Sequence, residues 1–151
     1  MLPTGTNGVD FRSANSRSYW APRLNVEYLS PRADVHSDNV AASATRLDIA
    51  SGLVTAFLSL ENAGDRDVFH VMLASAATLS IELGSVGSGN VVDAFLGLYD
   101  ANGTLIAADN DSGPDEDSRL QIALDADSYF ISAGSLNDTG VGDLLLSLEL
   151  L

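Results

Sequence analysis

From residue 53 onwards the apolar positions fall in short runs that alternate with polar ones, and turn residues separate the runs. Strand candidates are Leu53 to Leu60, Asp67 to Leu73, Thr78 to Leu83, Phe95 to Tyr99, Thr104 to Ala107, Leu120 to Leu124, Ser128 to Ala133 and Leu144 to Leu150. Between them stand Asn62-Ala63-Gly64-Asp65, Gly84 to Asn90, Asn102-Gly103, Asp125-Ala126-Asp127 and Asn137-Asp138-Thr139-Gly140. Alternation is clearest in Thr78-Leu79-Ser80-Ile81-Glu82-Leu83 and Leu120-Gln121-Ile122-Ala123-Leu124, where one face is core and the other wet. Eight such strands predict an all-β antiparallel sandwich. Asn102-Gly103 between two alternating runs predicts a hairpin with a type I′ turn, whose central residues both need positive φ. Val40 to Asp48 reads at most as a helical turn.

Upstream the pattern is thinner. Residues 1–29 are turn-rich with two short strand candidates, Val9 to Ser13 and Leu24 to Leu29, which bury little surface alone. Residues 30–39, Ser30 to Asn39, read as a polar linker, and residues 40–151 as the main domain. The opening MLPTGTNGVDFRS lacks the basic and apolar regions of a signal peptide, and no run of 18 apolar residues occurs, so no membrane insertion is expected.

Composition changes the picture in one respect. The chain has 151 residues, is 46% apolar and carries a net charge of -14, from 21 acidic and 7 basic residues. A mean hydropathy of +0.14 is that of a folded protein, so the acidity is no mark of disorder. Phosphate binding needs a basic face, so nucleic acid is an unsuitable partner, and an anionic membrane surface is disfavoured likewise. Aspartate far outnumbers glutamate, which suits turns and hard-cation sites; adaptation to salt, with the carboxylates simply hydrated, is the open alternative. Cysteine is absent, which excludes disulfides, thiolate zinc and a cysteine nucleophile.

Two family resemblances rest on particular residues. Ser37-Asp38-Asn39, Ala63-Gly64-Asp65-Arg66-Asp67-Val68-Phe69, Leu98-Tyr99-Asp100-Ala101-Asn102-Gly103, Asp109-Asn110-Asp111-Ser112-Gly113 with Asp117-Ser118-Arg119-Leu120, and Ala126-Asp127-Ser128-Tyr129-Phe130-Ile131 stand in order. That order resembles the bacterial pre-peptidase C-terminal domain, a jelly-roll β-sandwich appended to secreted peptidases and other exported enzymes. Val68 stands where that family has tryptophan or tyrosine, and Ala94 where it has proline, which puts an aromatic surface role for the Val68 strand in doubt. Gly8-Val9-Asp10-Phe11-Arg12-Ser13 and Ala21-Pro22-Arg23-Leu24-Asn25-Val26-Glu27-Tyr28 resemble the last two strands of a DNRLRE module. That resemblance implies the tail of an upstream domain; the alternative is an N-terminal hairpin docked on the main domain.

The pre-peptidase resemblance implies calcium as a cofactor. In calcium-dependent relatives a linker folds back onto an aspartate-rich turn, and Asp38 and Asn39 match the linker end while Asp65 and Asp67 match the turn. Calcium takes six to eight oxygens, so ligands from two remote segments would cross-link the chain. The competing reading is a turn capped by its own backbone. A second acidic set comprises Asp93, Asp100, Asp109, Asp111, Asp115 and Asp117. Its spacing is no EF-hand, since Gly113 holds the fifth position and Leu120 the twelfth, where a bidentate acid is required. A loop metal site and a solvated acidic loop both remain open for it.

Catalytic signals are sparse. His36 falls in the linker and His70 in an alternating strand, and no Gly-x-Ser-x-Gly, His-Glu-x-x-His or phosphate loop occurs. The expectation is a non-catalytic, calcium-binding accessory module of a secreted or cell-surface multidomain protein. It would stabilise, space or target a partner domain, with neighbouring domains and an extracellular polymer (protein or polysaccharide) as partners. The alternative is a structural or adhesive repeat whose acids serve solubility.

Overall fold

A computed structural model describes residues 44–87 and 92–151. Among the described residues there are nine strands: β1 (Thr45–Leu47), β2 (Val54–Leu60), β3 (Arg66–Met72), β4 (Ala77–Ser85), β5 (Ala94–Tyr99), β6 (Leu105–Asp109), β7 (Ser118–Leu124), β8 (Ser128–Ser135) and β9 (Gly142–Leu150). They form a five-stranded sheet in the order β1-β3-β8-β5-β6 and a four-stranded sheet in the order β2-β9-β4-β7. Pairing is nested: β5 with β6, β4 with β7, β3 with β8 and β2 with β9, all antiparallel. The chain is thus one long hairpin, folded over so that its rungs fall alternately into two sheets, which is the jelly-roll wrapping. The turn between β5 and β6 is the tip of that hairpin.

All eight expected strands are present, with ends moved by a few residues. The ninth, β1, corrects the expected helical turn over Val40 to Asp48 for its described part. It is also the exception to an antiparallel sandwich, because it pairs parallel to β3 through Thr45↔Phe69, Arg46↔His70 and Leu47↔Val71. Three residues with half-buried Thr45 and Leu47 and exposed Arg46 gain little from propensity; what fixes them is the edge of β3, whose backbone groups need partners. Among the described residues no helix is long and apolar enough to cross a membrane.

The core lies between the sheets. Leu58 and Leu60 of β2, Phe69 and Val71 of β3, Leu79, Ile81 and Leu83 of β4, Leu96 and Leu98 of β5, Ile131 of β8 and Leu144, Leu146 and Leu148 of β9 are at most 1% exposed. All sit at alternate positions, as a pleated strand requires when one face is buried. Each such side chain contributes about 1.5–3 kcal/mol of burial. The residues between them point outwards, and these outer faces carry the functional question.

Candidate functional site

The tip of the long hairpin shows what its aspartate does. Gly103 N–H donates to the Asp100 carbonyl at 3.0 Å, and Asp100 N–H donates to the Thr104 carbonyl at 2.9 Å. Gly103 has φ of +80°, whereas Asn102 is not among the positive-φ residues. The expected type I′ turn is therefore corrected to a three-residue loop closed by a left-handed glycine, and the ladder slips between Leu98 and Tyr99. Asp100 Oδ1 accepts from the N–H groups of both Asn102 and Thr104 at 2.8 Å. The Thr104 bond above all, helped by the Asn102 bond, holds its carboxyl below the usual range although desolvation acts the other way.

Asp109 ends β6 and closes the acidic loop in the same manner. Its carboxylate accepts from Ser112 N–H at 3.0 Å, Ser112 Oγ at 2.5 Å and Arg119 N–H at 2.8 Å. Desolvation pushes its pKa up, but these bonds outweigh it and the net shift is downward. Asp117 Oδ1 accepts from Ser85 N–H at 3.1 Å, and its side chain lies so close to Gly84 that a Cβ there would fall 2.5 Å from Asp117 Oδ2. Asp111 Oδ2 accepts from Asn110 Nδ2 at 2.6 Å. Asp93 and Asp115 are exposed, and Asp115 has φ of +54°.

Asp65 Oδ2 accepts from Glu61 N–H at 2.9 Å, while Asp67 is wholly buried on the inward side of β3. Register sets Asp67, Ala133, Leu96 and Asp109 in one row, so Asp67 and Asp109 stand three strands apart, about 14 Å. Asp38 and Asn39 lie outside the described residues. Among the described residues no three His, Cys, Asp or Glu side chains come together to hold a metal. Asp65 and Asp67 by themselves fall short of a calcium shell of six to eight oxygens.

A different constellation emerges on the outer face of the five-stranded sheet, one that sequence reading missed. Register aligns Arg46, His70, Phe130 and Tyr99 in one row across four strands, and Arg66, Gly134 and Phe95 in another. The row between them is Val68, Ser132 and Gly97. Because the flanking rows carry large rings and this one carries small side chains, a groove of about 410 Å³ opens between them, lined by Arg66, Val68, Phe95, Tyr99, Gly103, Phe130 and Ser132. That volume falls in the ordinary range of ligand sites, roughly 300–1,000 Å³.

Its walls are held in place. His70 stacks on Phe130 with ring centres 5.1 Å apart and planes 28° from parallel. Tyr99 lies back over Gly97, where a Cβ would meet its Cε2 at 2.9 Å. Arg66 crosses Gly134, its guanidinium sits 5.3 Å from the centre of the Phe95 ring, and Asp138 pairs with it at 2.5 Å. Asn137 and Asp138 both adopt left-handed backbone, φ of +56° and +57°, and Gly64 N–H donates to the Asp138 carbonyl at 2.8 Å. Among residues with a side chain Asn and Asp tolerate that conformation best, yet a strained pair here sets the Asp138 carboxylate beside Arg66. Val68, which supplies no aromatic of its own, is floor, and the rings come from β5 and β8.

No family model matches the chain, and no curated protein matches it. Solved structures are similar, among them the following two. A periplasmic inhibitor of g-type lysozyme, PliG of Aeromonas hydrophila, has a TM-score of 0.48 at 16% identity over 72% of this chain and 96% of that one, a likeness too loose to carry weight. The pre-peptidase C-terminal domain of a collagenase from Bacillus anthracis superimposes with a TM-score of 0.57 at 18% identity, over 70% of this chain and 94% of that one. The described domain therefore has the fold of a pre-peptidase C-terminal domain, as the ordered motifs implied, and at this identity the likeness is one of fold alone.

Proposed function

We propose that the domain is a non-catalytic accessory module of an exported multidomain protein, and that it holds an extracellular polymer in the groove on its five-stranded sheet. The observation that carries this is the groove itself: rings on β5 and β8 turned away from a core that is already filled, around a floor of glycine, serine and valine. Large apolar groups gathered on a solvent face, outside the core, mark binding surfaces. Depletion of the purified domain from solution by insoluble polysaccharides and by gelatin tests the reading. At least one matrix is expected to retain the wild type and to release a Phe95→Ala, Tyr99→Ala double variant that still melts cooperatively. Failure of every matrix to retain the wild type would overturn it.

Calcium at the Asp65 and Asp67 turn, with Asp38 and Asn39, is a separate proposal that rests on the sequence resemblance. Extracellular calcium modules have Kd of roughly 10⁻⁴ to 10⁻³ M, so calcium at ten times Kd would add about 1.4 kcal/mol. A rise in Tm of several degrees with millimolar calcium over chelator is expected, lost in Asp65→Asn, Asp67→Asn. Coincident melts would remove calcium from the account and leave the groove untouched.

A further inference from the structure

Resting on the groove as the binding site, we infer that its ligand is a neutral sugar chain rather than a charged polymer or a peptide. Charge comes first. The chain carries a net -14, which disfavours an anionic polysaccharide, and the cation in the groove, Arg66, is already paired with Asp138. No carboxylate lines the groove among the described residues, so a cationic ligand finds no counter-charge there.

Hydrogen-bonding character separates sugar from peptide. The uncharged polar side chains of the groove are Ser132 and Tyr99, both hydroxyls, and a hydroxyl donates and accepts alike. Sugar hydroxyls have the same dual character and can meet them in either sense. A proline-rich peptide, the kind that docks in aromatic-lined grooves, offers mainly carbonyl acceptors because proline has no N–H, and is best met by fixed donors. Arg66, the strongest donor here, is turned to Asp138 and the Phe95 ring.

The aromatic faces complete the match. The C–H groups on one face of a pyranose carry slight positive charge, and an aromatic face is negative, so sugar rings stack on Phe and Tyr without displacing any ion. Phe95 and Tyr99 lie four residues apart on β5, about 13 Å, on either side of the floor row. The groove between them crosses the strands, and a single sugar chain running along it can lay a C–H face against a ring.

Titration calorimetry with cellohexaose, laminarihexaose, mannohexaose and chitohexaose, and with decaproline and hexagalacturonate as comparisons, tests this. At least one neutral hexasaccharide is expected to bind, and Gly97→Ala to weaken it tenfold or more. That variant keeps every ring but its new Cβ would displace Tyr99. Gly97 lies outside the left-handed φ region, so little strain is expected, and an unchanged Tm keeps the result interpretable. Gln121→Ala on the opposite sheet should leave binding unaltered. Binding of decaproline or hexagalacturonate with no neutral sugar bound would overturn the sugar assignment while leaving the groove as the site. Binding of none of these probes, or sugar binding indifferent to Gly97→Ala, overturns it as well.

Discussion

The two outer faces of this sandwich sit on one shared interior and obey the same alternation, yet they carry different chemistry. Across the four-stranded sheet one row reads Thr55, Ser147, Glu82 and Arg119. Across the five-stranded sheet the comparable row reads Arg46, His70, Phe130 and Tyr99. The first is what a wet sheet face needs for solubility and no more. The second places rings where they add nothing to the core, and it fences a floor of small residues. Exposed Leu53 and Phe57, at 63% and 54%, show that the four-stranded side is not free of apolar groups. Single exposed apolar residues are ordinary; rings set around a glycine and serine floor are not.

Arginine provides the sharpest contrast between the faces. Arg66 is held by Asp138, Phe95 and the surface of Gly134, with its side chain 24% exposed, whereas the Arg119 guanidinium pairs with Glu82 at 3.1 Å with both side chains about half exposed. Arg66→Ala is expected to cost about 1–2 kcal/mol in urea unfolding, from the pair, the cation–π contact and lost packing. Arg119→Ala should cost at most about 0.5 kcal/mol, and 1 M salt should erase most of that. Equal losses at the two positions would break the contrast.

Acid offers a smaller effect, at the loops that join the faces. Asp109 has a folded pKa below its ordinary value, so it contributes stability above the unfolded pKa near 3.8 that is lost as pH falls through the folded value. Asp109→Asn should therefore lower stability at pH 7 and flatten the decline below about pH 4. An unchanged acid limb would mean that the Ser112 and Arg119 bonds do not favour the charged form.

Much of the fold was legible because alternation and turn residues are local signals. Thr78 to Leu83 declares its two faces in six residues, and Asn102-Gly103 marks the hairpin tip even though its turn type differs. Thr45 to Leu47 was illegible because its structure comes from the edge of β3 and not from its own side chains. The acids were conspicuous in sequence, but their density hid what most of them do. Asp100 and Asp109 spend their oxygens on their own loops, and only the hydrogen bonds reveal it. The groove stayed hidden for the opposite reason. Arg66, Phe95, Tyr99 and Phe130 are scattered along the chain, and register alone collects them; the available signal was their shared outward parity, with Gly97 and Ser132 small at the same parity.

Amide chemical-shift mapping tests most directly that the five-stranded face is the binding face. With the hexasaccharide that binds most tightly, the expected shifts gather at Val68, Gly97, Ser132 and Gly134, while Ser80, Gln121 and Ser147 stay still. Shifts confined to the four-stranded face, with the groove residues unmoved, would contradict it.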